Sequence, residues 1–65
     1  MIAASTLNPE IRRDILKVIQ LQDIQKSQPN TFTPEWEAAS EILSGLFEKL
    51  HNANAPHQDH INWGA

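Results

Sequence analysis

The sequence predicts an all-α protein. Two antiparallel helices, at about residues 9–26 and 34–51, form a hairpin that assembles with a second copy into a homodimeric four-helix bundle. Three observations carry this. Asn8-Pro9-Glu10 and Thr33-Pro34-Glu35 are two helix starts written in the same grammar. Apolar residues after each recur at helical spacing. A break containing Pro29 and Asn30 lies between them.

Taken in order, residues 1–7 are short, uncharged and weakly apolar, and read as a flexible N-terminal arm. The hairpin domain spans 8–51. Pro9 suits the first helical turn because it has no N–H to donate and its φ is already near helical. Asn8 is then the capping residue, with Glu10 favoured by the positive end of the helix dipole. Ile11, Ile15, Val18 and Ile19 form the main stripe of this helix, while Leu16, Leu21 and Ile24 point elsewhere around it. An apolar surface that wraps a helix implies cover from more than one side. The β-branched residues make its helicity depend on packing more than on propensity.

Lys26-Ser27-Gln28-Pro29-Asn30-Thr31 ends the first helix, since Pro29 disfavours helix at Gln28 and Asn30 suits a turn. A connection this short joins antiparallel neighbours. The second helix repeats the start signal, with Thr33 as cap and Pro34 in the first turn. Trp36, Ala39, Ile42, Leu43, Leu46, Phe47 and Leu50 fall on one broad face, and Glu37, Glu41, Ser44 and Glu48 on the opposite one. Gly45 is its weak point, costing up to about 1 kcal/mol relative to Ala. It is either a tolerated surface residue or a place of close helix–helix approach. From Asn52 onward periodicity disappears, and 52–65 reads as a flexible tail, with Ile61 and Trp63 as the residues able to hold it down.

The expectation of a dimer comes from counting. The two helices carry thirteen large apolar residues, and two cylinders touch along only one seam. Two hairpins packed as a bundle would cover the extra faces. The core and interface are therefore assigned to Ile11, Ile15, Val18, Ile19, Trp36, Leu43, Leu46, Phe47 and Leu50. A chain of 65 residues is also marginal alone, and without cysteine it has no disulfides or thiolate metal sites for support.

A net charge of −3 argues against binding nucleic acid or an anionic membrane through charge neutralisation. No apolar run is long enough to span a bilayer, and the first residues lack a signal-peptide pattern, so a cytoplasmic location is expected.

Candidate chemistry is sparse. His51, His57 and His60 with Asp59 have ligand-like spacing for zinc or nickel. A metal site needs rigid support that a tail rich in Asn and Ala does not promise, so solvated histidines are the preferred reading and no metal is assigned. Glu37, Glu41 and Glu48 form an acidic ridge that reads as a solubility face, or as a docking strip for a basic partner. Glu48 and His51 have the spacing used in di-iron bundles, but the first helix offers no matching pair. Trp63 reads as a partner anchor or as a lid on its own bundle. Arg12, Arg13 and Lys17 cluster on the first helix, yet a ribbon-helix-helix reader would want base-reading residues in the arm, where only Ser5 and Thr6 are polar. No phosphate loop, dinucleotide fingerprint or nucleophile elbow is present.

The function these features suggest is a small helical protein–protein interaction module, an adaptor, inhibitor or small regulatory subunit, without catalysis or cofactor. Its possible partner surface is Glu37, Glu41, Glu48 and Trp63. The alternative is a small DNA-associated regulator or antitoxin-like dimer.

Overall fold

The computed structural model describes residues 1–28 and 33–65. Its elements are β1 (Ile2–Ala3), a 3₁₀ turn (Ala4–Thr6), α1 (Pro9–Ser27), α2 (Pro34–Asn52), a second 3₁₀ turn (Gln58–His60) and β2 (Ile61–Asn62). The fold is mostly helical, with α1 and α2 in contact as a hairpin. Their directions oppose. Gln25, late in α1, donates through Nε2 to the Trp36 carbonyl early in α2 at 3.3 Å, while Lys49, late in α2, reaches Glu10 in the first turn of α1. Pro29 and Asn30, on which the expected break rests, lie outside the described residues.

Both starts form as their residues require. The Asn8 side chain accepts from the Glu10 N–H at 2.8 Å, and the Thr33 hydroxyl accepts from the Trp36 N–H at 3.2 Å. Each satisfies one of the N–H groups a helix start leaves without a partner, and the proline that follows removes another.

The core lies on the seam. Ile15 and Val18 of α1 and Ala39 and Leu43 of α2 are buried. Ile11, Ile19, Trp36, Leu46 and Leu50 are half-buried, whereas Phe47 remains 48% exposed and Ile42 44%. The broad apolar face read from α2 is thus wider than the contact it makes with α1. Residues along the middle of the face are covered, and those on its flanks stay open.

The two ends, read from sequence as arm and tail, carry turns and a short strand pairing. α2 closes with Asn54 at φ 55°, a left-handed residue. The Asn54 N–H donates to the His51 carbonyl and the Ala55 N–H to the Leu50 carbonyl, at 3.1 and 3.0 Å. This is a Schellman turn, in which the left-handed residue reverses the chain and satisfies the last carbonyls. Its usual apolar contact is present, since Leu50 and Ala55 both pack on the cluster of Ala4, Ile15 and Ile61. The reversed chain runs back along the hairpin, where Gln58 donates to Gln22 at 3.1 Å. It ends as β2, paired in parallel with β1 with Ile2 opposite Ile61 and Ala3 opposite Asn62. Ile61 is only 5% exposed. The periodicity rule misses these ends because one buried side chain and a turn hold them, and neither leaves a repeating pattern.

Candidate interaction surface

Three features stand on the outside of this fold. The first is a cleft of about 160 Å³ where the returning tail meets the hairpin. Ile15 and Val18 form its floor, Phe47, Leu50 and His51 its α2 wall, and Ala55 to Gln58 its tail wall. The lining is apolar apart from the two imidazoles and the Gln58 amide. Pockets for free ligands run to roughly 300–1,000 Å³, so this cleft suits a single apolar side chain better than a cofactor. Periodicity places Phe47 in the interface, and the fold puts it on the rim of this cleft.

The second is a charged cluster that joins the helices. The Lys49 ammonium lies 2.9 Å from a Glu10 carboxylate oxygen and 2.9 Å from one of Asp14. The hydrogen bond to Glu10, and then the one to Asp14, hold the Lys49 pKa above its ordinary value. Glu10 and Lys49 are exposed, while Asp14 is largely covered. From sequence alone Lys49 has no assigned partner. Its partners are distant in the chain, Glu10 by 39 residues. Laying the two helices antiparallel with their starts and ends matched would have brought them together.

The third is the set of apolar side chains left outside. Leu16, Ile24, Ile42 and Phe47 are all exposed, and Trp63 keeps 37% of its surface open. Leu16 and Ile24 are the two residues of α1 most clearly left over by its main stripe. Ile61 and Trp63 are the two residues expected to hold the tail, with Trp63 either a lid or a partner anchor. The structure divides those roles, with Ile61 sealing the core and Trp63 at the surface beside it.

Glu37, Glu41 and Glu48 are exposed along α2, as the wheel required, and none has an ion-pair partner among the described residues. The His57 and His60 rings stand edge to face at 6.2 Å, and His57 Nδ1 accepts from the Asp59 N–H at 3.1 Å. That bond caps the second 3₁₀ turn, which gives His57 a local structural task. Among the described residues no three of His, Cys, Asp and Glu are grouped to hold a metal ion. Arg13 and Lys17 are exposed and Arg12 half-buried. No described helix is long and apolar enough to cross a membrane. No protein-family model matches the chain, and no match is found to a curated protein or a solved structure.

Proposed function

We propose that the protein is a small helical protein–protein interaction module that self-associates as a homodimeric four-helix bundle and has no catalytic activity of its own. One observation carries this reading. After the seam is filled and the tail has folded back, Leu16, Ile24, Ile42 and Phe47 still face outward from two short helices. Exposed apolar residues scattered singly need no explanation, but several on one small hairpin mark surface that association would cover. The acidic ridge of Glu37, Glu41 and Glu48 and the ring of Trp63 are left for a further protein partner, in an adaptor, inhibitory or regulatory role.

Sedimentation equilibrium tests the dimer directly. The expected outcome is a species of twice the 7.3 kDa chain mass that dissociates on dilution. A monomer throughout the micromolar range, compact and cooperative in melting, would refute it. The DNA-associated alternative draws on Arg13 and Lys17. It asks β1 to be free to pair with another copy and read bases, whereas β1 is hydrogen-bonded to β2. An absence of mobility shift with duplex DNA at low salt is the expected result.

A further inference from the structure

The fold leaves two unlike patches outside, and each has the shape and charge to meet the other. The first is on α1. Leu16 is exposed. Arg12 and Arg13 lie one turn before it, and so neighbour it on the helix surface, and Lys17 follows it. None of these three bases has an ion-pair partner among the described residues. The patch is an apolar knob set in positive charge.

The second patch is the cleft of about 160 Å³ between Phe47, His51 and the returning tail. An apolar cavity of about 150 Å³ admits a benzene ring, so this one has room for a leucine side chain. Beside it Glu37, Glu41 and Glu48 run along α2, roughly 80–120° round the wheel from Phe47. They too are exposed and unpaired among the described residues. The acidity belongs to the elements and not to one end of them. α2 and the tail carry Glu35, Glu37, Glu41, Glu48 and Asp59 against one ammonium, Lys49, which Glu10 and Asp14 already hold.

We propose that two copies pair by placing Leu16 of each in the cleft of the other, with Arg12, Arg13 and Lys17 against Glu41 and Glu48 of the opposite copy. Gln25 meets Trp36 and Lys49 meets Asp14, so Leu16 and Phe47 stand at nearly the same height in the hairpin. One two-fold axis passing between knob and cleft therefore makes both contacts at once, as a symmetric interface requires. It covers Leu16 and Phe47 together, two of the four apolar residues that the helices leave exposed. Exposed ion pairs contribute little each. The knob supplies the affinity, and the charges decide which faces meet. The proposal rests on the self-associating reading above and specifies its interface. It takes Glu41 and Glu48 of the ridge for the second copy and leaves Glu37 and Trp63 for a further partner.

Two charge-reversed chains test it by sedimentation equilibrium. One carries Arg13→Glu with Lys17→Glu, the other Glu41→Arg with Glu48→Arg. Each sets like charges together at both contacts, and each is expected to be monomeric with the parent's helical circular dichroism spectrum. Mixed, the two set opposite charges together at both contacts and are expected to form a heterodimer. In the otherwise unchanged chain, Leu16→Ala withdraws the knob and is expected to weaken self-association about tenfold or more. Ile42→Ala, on another face, is expected to leave it unchanged. If both reversed chains dimerise like the parent, if their mixture stays monomeric, or if Ile42→Ala weakens the dimer and Leu16→Ala does not, this interface is wrong and self-association stands. Should a reversed chain lose its helical spectrum, the comparison of Leu16→Ala with Ile42→Ala decides. If the parent chain is monomeric, both fall.

Discussion

Replacing Ile61 by Ala tests whether the returning tail is part of the fold. Ile61 is 5% exposed and forms a buried cluster with Ala4 and Ile15, on which Leu7, Ile11, Ile19, Leu50 and Ala55 pack. Truncation to Ala removes three carbons, which at about 0.8 kcal/mol each amounts to about 2–3 kcal/mol of lost burial. The cavity left behind adds to that, within the roughly 2–5 kcal/mol range of buried Ile-to-Ala changes. A chain of this length holds roughly 3–10 kcal/mol in total, so one side chain in a segment without periodicity supports a large share of it. For a domain this small, the melting temperature should fall by roughly 10–20 °C. Urea unfolding followed by circular dichroism, at one protein concentration because association shifts apparent stability, measures the difference. Ile61→Val should cost only about 0.5–1.5 kcal/mol. An Ile61→Ala variant as stable as its parent would mean that the tail does not seal the cluster.

Other expectations follow from the same structure. Asn8→Ala should destabilise by about 0.5–2 kcal/mol, because the Glu10 N–H loses its acceptor; a comparison with Asn8→Gly, expected within a few tenths of the parent, isolates the cap in urea titrations. Lys49→Met should lower the melting temperature at neutral pH. The Lys49 pKa is raised on folding, so its contribution is complete below the ordinary value of 10.5 and is lost as pH climbs through the higher folded value. Parent and variant melting curves should therefore converge only in strong alkali, and a difference that persists there would contradict the ion pairs as its source. Ending the chain at Asn52 removes the Schellman turn, Ile61 and the strand pairing together, and should destabilise more than Ile61→Ala by the same urea assay.

Much of the hairpin was legible in the residues themselves. Asn8-Pro9 and Thr33-Pro34 set where each helix begins, through capping and proline geometry that act within four residues. The ends fall at Ser27 and Asn52, each one residue beyond the reading. Ile15, Val18, Ala39 and Leu43 lie at the centre of their apolar faces and are buried. The tail was not legible in the same way. Asn54 followed by Pro56 is its one local signal, a left-handed helix end with a proline soon after, and it lies outside any apolar repeat.

Local chemistry thus determined the two helices, because caps, proline and a 3.6-residue period act between near neighbours. The tertiary structure alone decided that Ile61 closes the core, that Lys49 bridges to Glu10 and Asp14, and that Phe47 and Ile42 stay open. Those outcomes depend on which distant segments meet, and the geometry of two cylinders touching on one seam makes that choice after the helices exist.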